Sequence, residues 1–249
     1  MEVAWYQQWA NACDDSCRIP KYLALEAHDD EILMIMEDLD SAGFPARKTS
    51  VNLDEINACL KWLANFHATF LGEQPQGLWE TGTYWHLETR PDELEALDDL
   101  ELKSKAGLID KKLNDCHYKT FVHGDAKLTN FCFSRDGCNV AAVDFQYVGA
   151  GCGMKDVAYF IGSCLYEDEI ESMKEQLLGT YFEELQLAVK SHQAQINYPA
   201  LEKEWRALFP VAWTDFHRFM KGWSPGHWKI NSYSERMARN VIKNLNLDK

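Results

Sequence analysis

Three polar side chains in the middle of the chain have the types and the spacing that phosphoryl transfer requires. Asp125 and Asn130 lie five residues apart in the segment His123-Gly124-Asp125-Ala126-Lys127-Leu128-Thr129-Asn130, and Asp144 follows Asn130 after fourteen residues. One carboxylate can orient or deprotonate an attacking hydroxyl, while an amide oxygen and a second carboxylate can hold a metal ion on the phosphates. We therefore predict a phosphotransferase centred on Asp125, Asn130 and Asp144.

Short β-prone segments around these residues can bring them together. Residues 119–122 precede the first segment, and residues 131–133 and 140–143 flank a turn at Arg135-Asp136-Gly137, typical of a hairpin. Asp125 then lies in the loop after one strand, and Asp144 lies at the end of the hairpin. The hairpin is expected to fold the two metal ligands towards each other.

The rest of the chain is mainly helical by apolar periodicity. Residues 2–12 indicate a helix, residues 32–36 a short buried strand, and residues 37–50 a linker with Gly and Pro. Asn52 and Glu55 have the spacing of a capping box at the start of a long helix. Later helical patterns cover residues 92–114, 156–165, 169–189, 200–220 and 234–246.

The His-Gly-Asp loop and the Asp-Phe-Gln triplet at 144–146 resemble the aminoglycoside phosphotransferase and choline kinase superfamily. The triplet is similar to that of its ecdysteroid kinase-like branch. The resemblance implies that Asp125 is the catalytic base, that Asn130 and Asp144 bind Mg²⁺, and that His123 positions the loop. It also implies that Lys127 contacts the γ-phosphate of ATP, the co-substrate.

Other segments extend the resemblance over residues 1–165. Glu37-Asp38-Leu39 looks like the hinge that hydrogen-bonds adenine, and Glu2 resembles the helix glutamate of the first lobe. Asp156 resembles the aspartate that braces the catalytic loop. The expected architecture is an α+β, protein-kinase-like fold of two lobes, with a truncated N-lobe at residues 1–40 and a large helical C-lobe at residues 41–249.

The superfamily's glycine-rich loop and strand lysine have no counterpart upstream of Glu2. Because that lysine contacts the α- and β-phosphates, weaker turnover is expected from this chain than from one with a full first lobe. The alternative hypothesis is a catalytically impaired, pseudokinase-like binding or regulatory protein. Nucleotide binding would separate the two hypotheses.

The composition of the chain limits the kinds of molecule that the protein is expected to bind. The net charge of −14 argues against a nucleic-acid or anionic-lipid surface, because those ligands need clustered Lys and Arg. The chain shows no secretory signal and no apolar run long enough to span a membrane, so a cytoplasmic location is expected. The eight cysteines lack paired C-x-x-C spacing, which favours reduced, mostly packed thiols.

Several other residues allow a functional interpretation beside a simpler one. His67 on a helix face is expected to be a packed core residue, and the glycines at 149, 151 and 153 a flexible loop and not a phosphate-binding one. Most aromatic residues of the tail are expected to fill the core, but Trp223 and Trp228 are candidates for a substrate wall. The acceptor is predicted to be a small-molecule hydroxyl compound, and both amine-bearing and apolar compounds are candidates.

Overall fold

The computed structural model describes residues 1–28, 31–192 and 195–247. The chain starts in helix α1 (Glu2–Ala4), continues as a π-helical turn at Trp5–Trp9 and tightens to a 3₁₀ turn at Ala10–Ala12. Another 3₁₀ turn follows at Asp15–Cys17, where the side chain of Asp14 accepts a hydrogen bond from the Ser16 amide. The first dozen residues are thus helical, as their apolar pattern predicts.

Within the residues that the structure describes, seven short strands form three small antiparallel sheets. Strand β1 (Tyr22–His28) pairs with β2 (Glu31–Met36). Strands β3 (Ala46–Arg47), β5 (Phe131–Phe133) and β6 (Val140–Ala142) form the second sheet in that order. Strand β4 (Thr120–Val122) pairs with β7 (Gly149–Gly151) in the third.

Helices make up most of the remaining structure. Asn52 and Glu55 form the predicted capping box at the start of α2 (Leu53–Thr69). The expected helix at 92–114 is in fact two, because the side chain of Asp99 accepts a hydrogen bond from the Leu102 amide and begins a new helix. The other helices are α3 (Pro91–Glu95), α4 (Leu100–Asn114), α5 (Met154–Cys164), α6 (Glu167–His192), α7 (Tyr198–Trp223) and α8 (Ser232–Leu247).

One aromatic core joins the first residues of the chain to the middle of it. Trp5 is fully buried, and its ring stacks on Phe145 at 4.7 Å between centroids and meets the edge of Phe70 at 5.3 Å. Trp62 and Phe66 of α2 complete the group. Each such pair contributes roughly 1 kcal/mol beyond its buried area. The division of the chain at residue 40 stays a prediction.

The expectation that residues 32–36 form a buried strand is wrong in its burial. The strand exists, but Ile32 and Leu33 are more than half exposed, whereas Met34 and Met36 pack against the core. Alternate side chains of a strand point to opposite faces, so Leu33 and Ile35 lie on the face opposite to Met34 and Met36, and both are about half exposed. Ile32 is exposed at the start of the strand although it shares the face of Met34. The predicted linker at 37–50 also contains a strand, β3, which pairs with β5.

The expectation of a flexible loop at glycines 149, 151 and 153 is wrong as well. Gly149 and Gly151 lie in β7, and Gly149 also bridges to Trp79. A Cβ atom on Gly149 would lie 2.3 Å from the Trp79 carbonyl oxygen, so only glycine allows this close approach of two backbones. These two glycines therefore allow close packing beside β4 and Trp79.

Candidate active site

The loop between β4 and β5 is held in place by one buried carboxylate. Asp156, in the first turn of α5, is fully buried and accepts hydrogen bonds from the amides of His123 (2.6 Å) and Gly124 (3.0 Å). The imidazole Nε2–H of His67 donates to the same carboxylate at 3.1 Å. Gly124 has φ +81°, and a Cβ there would lie 2.2 Å from the Tyr147 carbonyl oxygen. The His-Gly-Asp order thus suits the shape of this turn.

His123 connects the loop to the end of the hairpin. Its Nε2 lies 3.0 Å from the carbonyl oxygen of Val143, so this nitrogen carries the proton and donates it. Its Nδ1 then accepts from the Asp125 amide at 3.3 Å. His123 is fully buried, and it fixes Asp125 relative to the residue that precedes Asp144.

Asp125 is surrounded by donors. Its Oδ2 accepts from the Lys127 ammonium at 2.6 Å and from the Asn130 amide group at 3.1 Å. Its Oδ1 accepts from the hydroxyl of Tyr159 at 3.2 Å, and that hydroxyl accepts in turn from Tyr84 at 3.3 Å. Burial raises the pKa of Tyr159 and of Tyr84, which keeps both hydroxyls protonated as donors.

A backbone hydrogen bond brings the segments of Asn130 and Asp144 together. The Nδ2 of Asn130 is used by Asp125, which leaves its Oδ1 without a hydrogen bond in the described part of the chain. The Val143 amide donates to the Asn130 carbonyl at 3.0 Å and so brings Asp144 next to the loop. Asp144 has φ +72°, a left-handed conformation that often occurs at functional sites in residues other than glycine.

Asp125, Lys127 and Asp144 open into one cleft of about 380 Å³. They line one part of it, and aromatic residues of α5 and α7 line another. No cluster of three or more His, Cys, Asp or Glu residues suited to a metal occurs among residues 1–28, 31–192 and 195–247. A metal here would thus rely on Asn130, Asp144 and oxygens of a bound phosphate. Oxygen ligands of this kind, few from the protein and the rest from substrate, are what Mg²⁺ usually takes.

The sequence profile of the ecdysteroid kinase-like family matches residues 4–75 and 83–194, well over half of the chain. The chain belongs to the ecdysteroid kinase-like family. This confirms the branch that the Asp-Phe-Gln triplet indicates. No curated protein matches the sequence.

Solved structures share the fold of this ecdysteroid kinase-like protein. An amicoumacin kinase, solved with AMP-PNP, Ca²⁺ and amicoumacin, matches 99% of this chain and 78% of its own with a TM-score of 0.61 at 16% identity. A putative aminoglycoside phosphotransferase from Ralstonia eutropha matches 97% of this chain and 79% of its own (TM-score 0.55, 12% identity). A microcompartment-associated aminopropanol kinase matches 97% of this chain and 78% of its own (TM-score 0.54, 14% identity). The predicted α+β, kinase-like fold with a large helical C-lobe is confirmed.

The predicted hinge offers backbone groups and not side chains. The Glu37 carboxylate accepts hydrogen bonds from the Arg18 guanidinium and the Lys21 amide. The Asp38 carboxylate accepts hydrogen bonds from the Asp40 amide and the Ser41 hydroxyl. The side chain of Leu39 is buried. In the described part of the chain, the Glu37 carbonyl and the Leu39 amide make no hydrogen bond. Their role in nucleotide binding stays a prediction.

Glu2 lies next to the Asp-Phe-Gln triplet, residues 144–146, of this ecdysteroid kinase-like protein. Its Oε1 accepts a hydrogen bond from the Phe145 amide at 3.1 Å. The N-terminal helix is thereby tied to the residue that follows Asp144. A role of Glu2 in nucleotide binding stays a prediction.

Sequence reasoning missed three residues of the cleft, which are Tyr84, Tyr159 and Lys229. Tyr159 lies three residues after Asp156 on α5, and this spacing places both on one helix face, a signal that was present in the sequence. Tyr84 and Lys229 come from irregular segments that carry no such periodicity. Of the two predicted substrate aromatics, Trp223 lines the cleft, whereas Trp228 lines a smaller neighbouring cavity.

Two further expectations concern the molecule outside the site. All eight cysteines are free, and five of them are buried, as their spacing and surroundings predict. Within residues 1–28, 31–192 and 195–247, every helix is too short or too polar to cross a membrane.

Proposed function

We propose that this ecdysteroid kinase-like protein transfers the γ-phosphoryl group of ATP to a hydroxyl group of a small molecule. The single observation that carries the proposal is the cleft into which Asp125, Lys127 and Asp144 all open, with Asn130 hydrogen-bonded to Asp125. Phosphoryl transfer depends mainly on positioning and on charge stabilisation, and these four residues supply both.

Asp125 would act as the base. The acceptor hydroxyl gives its proton to the Asp125 carboxylate, the hydroxyl oxygen forms a bond to the γ-phosphorus, and the bond from that phosphorus to the bridging oxygen breaks, so that ADP leaves. Tyr159 and Asn130 hold the carboxylate in a fixed orientation through their hydrogen bonds. His123 holds the loop, and its role is that of a positioning residue.

Asn130 and Asp144 would hold Mg²⁺ through an amide oxygen and a carboxylate. When bound there, Mg²⁺ would neutralise the negative charge that develops on the phosphates during transfer. The Lys127 ammonium is partly exposed and paired with Asp125 at 2.6 Å, so a small movement of its side chain would bring it to a γ-phosphate. The free Glu37 carbonyl and Leu39 amide would pair with the adenine edge.

A substitution at Asp125 tests the proposal. Asp125→Asn keeps the shape of the side chain but cannot accept the proton, so the release of ADP should fall roughly a hundred- to ten-thousandfold. The assay measures ADP released from ATP and Mg²⁺ in the presence of a panel of small hydroxyl compounds. Asp136→Asn in the exposed turn of the β5–β6 hairpin is the matched control and should keep full turnover.

Equal rates for the Asp125→Asn variant and the unmodified protein would remove Asp125 from its role. Absence of turnover in the unmodified protein with every compound, together with no nucleotide binding by calorimetry, would refute the function as a whole. Circular dichroism and thermal unfolding of each variant separate a loss of chemistry from a loss of fold.

A further inference from the structure

Lys229 lies in the segment between α7 and α8 and points into an aromatic box. Its ammonium lies over the rings of Tyr159 (4.8 Å to the centroid), Phe216 (5.3 Å) and Trp228 (5.8 Å). It also lines the cleft that contains Asp125 and Asp144. A positive charge of the chain itself therefore occupies the aromatic wall beside the proposed reaction centre.

The position of this side chain is fixed by its backbone. The Lys229 amide donates to Nδ1 of His227 at 3.2 Å, and its carbonyl accepts from the Ser234 hydroxyl at 3.2 Å. Nevertheless, in the described part of the chain the ammonium makes no hydrogen bond and no ion pair. An ammonium has three donors, and a largely buried one without an oxygen partner is costly. A ligand oxygen would satisfy it.

The environment of Lys229 agrees with that interpretation. Burial lowers the pKa of Lys229 to about 8, with Cys164 and Asp125 acting to raise it and Lys127 to lower it. The amine is thus still mostly protonated at neutral pH. Burial destabilises this charged form, so a hydrogen bond to a ligand oxygen would stabilise it.

The charges of the cleft leave no site for a cationic acceptor. Among the described residues that line it, the carboxylates are those of Asp125 and Asp144. Asp125 is paired with Lys127, and Asp144 is assigned to the metal in the proposed function. An aromatic box is a good site for an organic cation, but this box is already filled by a like charge.

Resting on the proposed function, we propose that Lys229 selects the acceptor. It donates a hydrogen bond to an oxygen of an uncharged or anionic hydroxyl compound, and it excludes compounds that would place an amine in the aromatic box formed by Tyr159, Phe216 and Trp228. Of the two acceptor types that the sequence leaves open, the amine-bearing one is thereby disfavoured.

A binding experiment tests the exclusion without any turnover. Lys229→Ala empties the aromatic box, so tetramethylammonium should bind this variant roughly tenfold more tightly than the unmodified protein. Quenching of tryptophan fluorescence by tetramethylammonium chloride, with sodium chloride as the salt control, gives both affinities. Lys190→Ala, at an exposed lysine near the end of α6, is the matched control and should behave as the unmodified protein. Equal affinity in the two proteins, or no binding by Lys229→Ala, would overturn the exclusion.

A kinetic experiment tests the hydrogen bond. Hydroxyl compounds in three classes, neutral, anionic and cationic, are compared for ADP release, and the best should be neutral or anionic. Lys229→Met keeps the buried stem but loses the donor, so the KM for such an acceptor should rise roughly tenfold or more while the KM for ATP stays unchanged.

The two experiments separate the two proposals. If no compound is phosphorylated and no nucleotide binds, the proposed function fails, and the tetramethylammonium comparison still decides whether Lys229 excludes cations from the aromatic box. If the best acceptors are cationic, or if Lys229→Met leaves the acceptor KM unchanged, the role of Lys229 is refuted and the phosphotransferase function stands. Thermal unfolding of Lys229→Met and Lys229→Ala checks that both variants are folded.

Discussion

A single buried carboxylate, that of Asp156, determines the shape of the proposed catalytic loop. It accepts from two consecutive backbone amides and from His67, whose other ring nitrogen accepts from the Tyr181 hydroxyl at 2.7 Å. His67 is therefore a hydrogen-bonded core residue in this structure. A hydrogen bond to an ionised group stabilises the folded state more than one between neutral groups. A buried backbone amide without an acceptor destabilises it.

Replacing that carboxylate should affect stability and turnover together. Asp156→Asn keeps the size but turns an amide group towards one of the donors, so the free energy of unfolding should fall by about 3 kcal/mol. Urea denaturation measures this change, and ADP release should fall with it because the loop that carries Asp125 loosens. Asp168→Asn on the exposed first turn of α6 is the control. A stable Asp156→Asn variant with full turnover would contradict the bracing role.

At the scale of elements, two apolar segments have different environments. Strand β2 and helix α2 both contain isoleucine, but Ile35 on the outer face of β2 is 49% exposed and Ile56 of α2 is 1% exposed. Helix α2 packs along α6 and against the aromatic core, whereas the outer face of the β1–β2 hairpin carries no second layer in the described structure. The apolar composition of a segment therefore shows that its side chains can be buried, but it does not show that they are buried.

A matched pair of substitutions measures this difference. Ile35→Thr should change the free energy of unfolding by less than about 0.5 kcal/mol, as is usual for an exposed side chain. Ile56→Thr removes apolar volume and buries a hydroxyl, so a loss of roughly 2–4 kcal/mol is expected. Urea denaturation of the two variants under one set of conditions gives both values. Similar losses at the two positions would show that the outer face of the hairpin is covered in solution.

At the scale of the whole molecule, a cluster of charged side chains connects helices α4, α7 and α8. Lys221 of α7 donates to Asp99 before α4 at 2.7 Å and to Glu235 of α8 at 2.6 Å, and Arg239 of α8 also pairs with Asp99. Although burial acts in the opposite direction, these donors hold the pKa of Asp99 well below its usual range. The stabilisation from Asp99 is therefore present at neutral pH and is lost only in strong acid.

His217 in the same region should make the protein sensitive to mild acid. Burial lowers its pKa to about 4, with Lys221 acting in the same direction and Glu235 against it. The unfolded chain takes up this proton near pH 6.5 and the folded one near pH 4, so the free energy of unfolding should fall as the pH drops from 6.5 to 4. The expected loss from His217 is about 2–3 kcal/mol.

Urea denaturation at several pH values checks this contribution. His217→Gln should flatten the fall in the free energy of unfolding between pH 6.5 and pH 4, because the titrating group is gone. His117→Gln, at an exposed histidine, should leave the pH dependence unchanged. An equally steep dependence in the His217→Gln variant would assign the acid sensitivity to other groups.

The sequence by itself determined the elements that local patterns encode and the order of the chemical groups. The capping box at Asn52 and Glu55, the hairpin around Asp136 and the long helices follow from spacing of 3.6 or 2 residues, because those periods are properties of the backbone. The order Asp125, Asn130, Asp144 also shows the kind of chemistry, because few arrangements of such groups suit a metal-bound phosphate.

Only the tertiary structure decided which surfaces meet. The exposure of β2 and the pairing of β7 with β4 both depend on which segments distant in sequence pack nearby, and no local period encodes a distant neighbour. The same holds for the cleft, where Tyr84, Tyr159 and Lys229 reach Asp125 or its surroundings from three separate segments. Long-range packing brings these side chains together, because the burial that stabilises them is gained only when the whole chain folds.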